Sequence, residues 1–306
     1  MALTNLTNTY HRDTYPAISS TNPSLSQAGK TVLITGGGSG IGFEIVRSFA
    51  KAKASRIIIM GRRVTVLEDA VVKLREEFQN TEFIAQQGDI SDEVSTTSVW
   101  DHLNSHNVFV HVLVLNAAHL SPMGPDTLKM ERKDLMEAFN TNVWGNFSMT
   151  AKFVNQPLRP VGEKLNLVNV STAGIQMNPA PTQNPYVTSK GTFTALLGRI
   201  ADEHPVEDVQ IISFHPGALY SESGAKYFDK DLIDWDEMAL PADFAVWSAS
   251  PEAAWLHGRF VWAHWDVDEL KSDEVITKRL EQETGFLKVA VQGLTEISAT
   301  SFLKKK

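Results

Sequence analysis

Cysteine is absent from this chain of 306 residues. That excludes disulfides, thiolate metal ligands and a cysteine nucleophile, and it accords with a reducing compartment. Also missing is any apolar run of the about 18 to 20 residues that a membrane-spanning helix needs. No apolar signal segment opens the chain: Thr4, Asn5, Thr7, Asn8, His11, Arg12 and Asp13 make its start polar. These absences predict a soluble, cytoplasmic protein. Nor is there an excess of positive charge. Lys and Arg number 28 against 36 Asp and Glu, a formal net charge of −8, so no electrostatic footprint for nucleic acid or an anionic membrane exists. Lys304, Lys305 and Lys306 are too few for a membrane anchor. What is present, 42% hydrophobic and 21% charged residues, is enough for a large core. The expected partner is a small molecule, and redox chemistry would need a cofactor.

Residues 1 to 29 are rich in Thr, Ser, Asn and Pro without sustained periodicity and read as an arm, lying over the surface or partly disordered. From Lys30 to Trp265, β-rich apolar runs alternate with helical patterns. Thr31–Thr35, Arg56–Met60, Glu82–Gln86, Val110–Leu115, Leu165–Val170, Val209–Phe214 and Arg259–Ala263 read as strands. Helical spacing lies between them, as in Ile41, Ile45 and Phe49, which share one face. Strand, helix and strand in repetition predict an α/β fold: a doubly wound, Rossmann-like parallel sheet of about seven strands in a single domain, its crossovers right-handed. After Trp265 the chain turns acidic (Asp266, Asp268, Glu269, Asp273, Glu274), and one helical pattern runs from Thr277 to about Leu294. Residues 266 to 306 read as an appendage of the same domain.

The first strand runs into Thr35-Gly36-Gly37-Gly38-Ser39-Gly40-Ile41-Gly42, and a helix follows at once. Glycines there let the backbone turn tightly and approach a pyrophosphate, whose charge sits at the positive N-terminal end of the helix. An acidic residue about 20 positions further on usually holds the adenosine ribose hydroxyls. Here that place reads Met60-Gly61-Arg62-Arg63. Two guanidinium groups suit a ribose 2′-phosphate, so the expected cofactor is NADP(H).

Asn184-Pro185 is a helix-start signal, which puts Tyr186 in the first turn and Lys190 four residues on, along the same face. A tyrosine, with an ordinary pKa of about 10, exchanges protons near neutrality only if its phenolate is stabilised. A neighbouring ammonium does that, and a hydroxyl at a strand end can donate to a developing alkoxide. The fifth strand ends in Asn169-Val170-Ser171-Thr172, and either hydroxyl has the needed oxygen.

The glycine spacing of Gly36, Gly40 and Gly42, and the order of the later motifs, resemble the short-chain dehydrogenase/reductase family over about residues 30 to 265. The resemblance implies Tyr186 as catalytic acid/base, Lys190 as its helper and Ser171 or Thr172 as the catalytic hydroxyl. Counting from Asn169 selects Thr172; counting back from Gly174 selects Ser171. It further implies Asn142 in Asn140-Thr141-Asn142-Val143-Trp144-Gly145 as organiser of a proton-relay water, and Asp89 as the residue on the adenine. Gly36, Gly38, Ser39, Gly40, Ile41 and Gly42 become the cofactor turn. Asn116-Ala117-Ala118 stands where the family has N-N-A-G, so a leading Asn and the Gly are missing. Pro216-Gly217-Ala218-Leu219-Tyr220-Ser221 looks like the turn after strand six, with Leu219 and Ser221 beside the nicotinamide carboxamide. The Trp-rich stretch Trp262-Ala263-His264-Trp265 and the arm around Tyr10-His11 and Tyr15-Pro16 are similar to a filamentous-fungal branch that acts in specialised metabolism. Family membership also implies a homo-oligomer, a dimer or tetramer.

Glu222 to Ser250 is where this family builds its substrate wall. Here it holds seven acids and two bases beside Tyr227, Phe228, Trp235, Phe244 and Trp247, which predicts a neutral, partly apolar substrate rather than a phosphate-bearing thioester. A solvated outer helix face also accounts for the acids. His102 and His106 are spaced i, i+4 without a third ligand, so no metal is expected. Trp255, Trp262 and Trp265 read as core and oligomer packing. Alternatives to hydride transfer are an NADP(H)-sensing regulator and an isomerase or cyclase in the same pocket.

Overall fold

Strands such as Thr-Val-Leu-Ile-Thr and Leu-Asn-Leu-Val-Asn-Val are buried at every position, as strands covered on both faces must be. The computed structural model describes residues 6–121, 124, 126–178, 184–220, 225 and 229–291. Within them seven strands form one parallel sheet: β1 (Thr31–Thr35), β2 (Arg56–Gly61), β3 (Glu82–Gln87), β4 (Val112–Leu115), β5 (Leu165–Val170), β6 (Val209–His215) and β7 (Phe260–Trp262). The spatial order is β3-β2-β1-β4-β5-β6-β7. The order reverses at β1, which pairs with β2 on one side and β4 on the other. The crevice above β1 and β4 is where open α/β sheets bind ligands.

Alternation along each strand divides the core in two. Val32, Ile34, Ile57, Ile59, Val114 and Phe214 face one layer, filled by α1 (Gly40–Lys51), α2 (Val64–Glu77) and α7 (Ala239–Ser248). Leu33, Ile58, Leu113, Leu167 and Ile211 face the other, filled by α3 (Glu93–Ser105), α5 (Asn146–Val154) and α6 (Asn184–Glu203). The helix α4 (Arg132–Phe139) leads into α5 through a π-helical turn at Asn140–Gly145. Such turns insert an extra residue and recur at functional sites.

The structure departs from the sequence reading in three places. First, β4 begins at Val112 rather than Val110, because the Gln156 side chain takes both backbone groups of Val110, at 2.9 and 2.8 Å. Second, the one C-terminal helix expected from Thr277 to about Leu294 is instead two short helices, α8 (Val267–Ser272) and α9 (Glu274–Gln282). The acids there are caps: Asp266 accepts from the amides of Asp268 and Glu269, and Asp273 from those of Val275 and Ile276, satisfying orphan donors of each first turn. After Gln282 the chain turns back to the sheet edge, where the Phe260 amide donates to the Leu287 carbonyl at 2.7 Å; residues 292–294 lie outside the described residues. Third, the arm from Leu6 onward is sewn into the core through Tyr15, Ile18 and Leu25, all buried. Too few apolar residues carry that packing for composition to reveal it.

Phe49 on α1 is fully buried in the layer that α1 shares with α7. Phe49→Ala should lower stability by about 3–5 kcal/mol, read as a shifted midpoint in chemical denaturation followed by circular dichroism.

Candidate active site

At the carboxyl ends of β1 and β4 the parting strands leave backbone groups without sheet partners. Thr35 and Asn116 satisfy them. The Thr35 hydroxyl accepts from the amides of Asn116 and Ala117 at 3.1 and 3.0 Å and donates to the Val114 carbonyl. The Asn116 side-chain amide donates to the carbonyls of Thr35 and Gly36 at 3.1 and 3.3 Å. Gly36 has φ +70°, and a Cβ there would lie 2.9 Å from that amide nitrogen. At Gly42 a Cβ would stand 2.1 Å from the Gly36 carbonyl oxygen, so the first turn of α1 presses on the strand end as only glycine permits. Ser39 precedes the helix, Gly40, Ile41 and Gly42 open it, and Gly38 lies against Val66 and Leu67. The first turn of α1 holds no acid, which leaves its positive end free for an anion.

Arg62 and Arg63, at the end of β2, are exposed, and Arg63 immediately precedes α2. Asp89 follows β3, its carboxylate accepting from the Ser91 amide and hydroxyl at 2.9 and 2.7 Å. The three positions lie at the carboxyl ends of β2 and β3, the same end of the parallel sheet that carries the glycine turn.

Across the sheet, α6 starts at Asn184 and carries Tyr186 and Lys190 one turn apart. Lys190 is buried and donates to the Val170 carbonyl at the end of β5. The two candidate hydroxyls differ in engagement. Ser171 is buried and shares a hydrogen bond of 2.8 Å with Thr194. Thr172 accepts from the Gly174 amide, and its hydroxyl is the group that acts on the Tyr186 phenol. Burial pushes the Tyr186 phenol up to about 12, and the Thr172 hydrogen bond opposes that rise. Burial alone lowers Lys190 to about 8.

Asn142 lies in the π-helical turn and is fully buried. Its side chain accepts from the His119 amide at 2.8 Å and donates to the His119 carbonyl and the Ser189 hydroxyl at 3.0 and 2.9 Å. Ser189 in turn donates to the Tyr186 carbonyl. One asparagine thus joins the strand-four loop to the helix that carries the tyrosine and lysine. Pro216, Gly217, Ala218 and Leu219 form the turn after β6; Ser221 lies outside the described residues.

The model of the family described as short chain dehydrogenase matches residues 30–232. This chain belongs to the short-chain dehydrogenase family. The short chain dehydrogenase/reductase nsrO of Aspergillus novofumigatus is 37% identical over 289 residues, covering 93% of this chain and 96% of that protein. AacuD of Aspergillus aculeatus is 33% identical over 285 residues, with the same coverage. Among solved structures, a 7α-hydroxysteroid dehydrogenase complexed with NADH and 7-oxo glycochenodeoxycholic acid superposes with TM-score 0.70 at 19% identity, covering 82% of this chain and 97% of that one. The L-sorbose reductase of Gluconobacter frateurii complexed with NADPH and L-sorbose gives TM-score 0.70 at 20% identity, covering 82% and 100%. The fold is shared, and the dehydrogenase is an oxidoreductase of this family.

Two groups of the sequence reading part from the site. Phe244 and Trp247, expected in the substrate wall, are core residues of α7, and Asp243 beside them is buried, accepting from Ser48 and Thr14. Asp236 is likewise buried, whereas Asp229, Asp231 and Asp234 are exposed. Tyr227 and Phe228 lie outside the described residues, which leaves Tyr220 and Trp235, ring centroids 5.4 Å apart, as wall aromatics. The cavity of about 340 Å³ between α3 and α5 and the groove of about 780 Å³ between α6 and residues 284–291 are lined by none of the candidate site residues. No helix among the described residues is long and apolar enough to cross a membrane. Sequence reasoning missed Thr35 as the brace of the strand ends, although it stands at the head of the glycine motif.

Thr35→Val should leave the Asn116 and Ala117 amides without an acceptor and cost about 1–3 kcal/mol, with Thr35→Ser close to wild type. Thermal unfolding followed by circular dichroism compares the two.

Proposed function

We propose that this dehydrogenase transfers hydride between NADP(H) and a carbonyl or secondary alcohol of a small, neutral, partly apolar molecule, an intermediate of specialised metabolism. The observation that carries the reading is Tyr186 one helical turn from the buried Lys190, whose ammonium donates to the Val170 carbonyl at the strand end that carries Ser171 and Thr172. The glycine cradle fits a dinucleotide: Gly36 to Gly42 would hold the pyrophosphate, Arg62 and Arg63 the 2′-phosphate, Asp89 the adenine, and Asn116, Ala117, Pro216, Gly217, Leu219 and Ser221 the nicotinamide half. The bound cofactor supplies or takes up the hydride.

In this reading Tyr186 gives its proton to the substrate oxygen, and Thr172 donates a hydrogen bond to the same oxygen as charge develops there. Lys190, lowered to about 8 by burial, is mostly an ammonium at pH 7 and stabilises the phenolate that forms. Asn142 is the positioning residue of the pair, through Ser189 and the backbone of His119. Ser171, tied to Thr194, braces the strand end. Leu219, Tyr220 and Trp235 support an apolar contact with the substrate. Self-association fits the partly exposed Leu135, Met136, Trp144 and Phe147 around α4 and α5, which a second copy would cover.

Steady-state reduction of a panel of neutral ketones with NADPH tests this reading. Tyr186→Phe should lose at least about a thousandfold in kcat, and Thr172→Ala about 10²–10³-fold; Ser171→Ala should stay within about tenfold of wild type. Equal or better efficiency with NADH would refute the cofactor assignment, and preference for coenzyme A thioesters the substrate class.

The rate should also depend on pH in a definite direction. Lys190 loses its charge as pH rises through about 8, so kcat/KM for reduction should fall above that value, by about tenfold per unit. A profile flat to pH 10 would contradict the role given to Lys190.

A further inference from the structure

Arg12 belongs to the arm, 204 positions before Pro216 in the chain, yet it meets the turn after β6 through one buried carboxylate. Asp236 accepts from Arg12 Nε at 2.9 Å through one oxygen. Its other oxygen accepts from the Ala218 amide at 2.7 Å and stands 2.8 Å from His264 Nε2. The Asp236 amide returns a bond to the Ala218 carbonyl, also at 2.8 Å. Gly217 has φ +108°, and a Cβ there would lie 2.8 Å from the same carboxylate oxygen. The turn is therefore shaped around Asp236, and its glycine is needed because the carboxylate is pressed against it. Burial pushes the Asp236 carboxyl up, but the hydrogen bonds from His264, Ala218 and Arg12 outweigh it and hold the group below the usual range.

The arm closes this cluster from outside. Tyr10 stacks on the His264 ring, centroids 4.4 Å apart and planes at 13°, and the His11 amide donates to the His264 carbonyl. The Glu237 amide donates to the Arg12 carbonyl, and the Arg12 guanidinium reaches Asp234 as well. Further along, Thr14 bonds Asp243, and the Tyr15 hydroxyl donates to Trp265 and accepts from Val267. Asp236 and His264 side chains are 4% and 1% exposed, while that of Arg12 is 45% exposed. Asp236 thus has the His264 imidazole as its partner inside and the Arg12 guanidinium as its partner at the surface.

We infer that the N-terminal arm is a working part of the active site, with Arg12 and Asp236 as positioning residues that fix the Gly217–Ala218 turn for the cofactor. This rests on reading that turn as the one that receives the nicotinamide half. A preorganised turn spares the ordering cost that a loose one would add to binding, so loss of the clamp should appear in cofactor affinity more than in the chemical step.

The test uses the full-length protein, with Arg12→Ala as the principal variant because its half-exposed side chain tolerates removal, and Asp236→Ala as the second. Amide hydrogen exchange of residues 217–220 is read without cofactor, and NADPH binding by fluorescence titration. Arg12→Ala should raise exchange at Ala218 by about tenfold or more, with β1 and β5 unchanged. It should raise the NADPH Kd and KM by about five- to twentyfold while kcat at saturating cofactor stays within about threefold. Unchanged exchange at Ala218 in Arg12→Ala would overturn the clamp. Raised exchange with wild-type NADPH affinity would overturn its role in cofactor binding. Failure of the unaltered protein to bind any nicotinamide dinucleotide would instead refute the proposed function, and the exchange measurement would still decide the clamp.

Discussion

Two parallel strands that part at the centre of a sheet leave backbone donors and acceptors that no third strand can reach, and the rest of this structure depends on how they are satisfied. Thr35 and Asn116 do it with one hydroxyl and one carboxamide, five hydrogen bonds in all. The same bonds draw the glycine turn against the end of β4, so that Gly36 and Gly42 have no room for a side chain. Bracing and cradle are one arrangement. It sets the glycine turn and the start of α1 at the carboxyl ends of β1 and β4, where open α/β sheets bind their ligands.

The other half of the candidate site is set by desolvation. Burial works in opposite directions on Tyr186 and Lys190, favouring the neutral form of each. A neutral phenol near a cation that is easily discharged is the pairing that the proposed proton transfer needs. By interrupting α4 and α5 with a π-helical turn, the chain frees the buried carboxamide of Asn142 to hold the strand-four loop and α6 together.

The arm ties distant parts of the chain to the same edge. Beside the core packing of Tyr15, Ile18 and Leu25, it makes polar and stacked contacts: Arg12 on Asp236, Tyr10 on His264, Thr14 on Asp243. Each would be weak at a free surface. Here they surround carboxylates that are already out of water, and a buried carboxylate without its donors is costly.

Much of the architecture was legible without coordinates. Most of the strands stood out because strands buried on both faces are apolar runs, while the half-exposed edge strand β3 is marked by alternation; the Gly36 to Gly42 turn, Tyr186 and Lys190 stood out by local spacing, and Asn142 and Asn116 only by resemblance to the family. Local spacing is what a chain carries in one dimension. The choice between Ser171 and Thr172 was not legible: adjacent residues on a strand end point to opposite sides, and only the packing of α6 shows which hydroxyl meets Thr194 and which meets Tyr186. The core placement of Phe244 and Trp247, the capping roles of the C-terminal acids and the burial of Asp236 were equally hidden. The order and spacing of residues by themselves determined the fold class and the family-type motifs, and the absence of cysteine left any redox chemistry to a cofactor. Tertiary structure alone decided which of the acids are solvated and which are held in the interior, because a carboxylate's environment is made by donors such as Arg12 and His264, 224 and 28 positions from Asp236 in the chain.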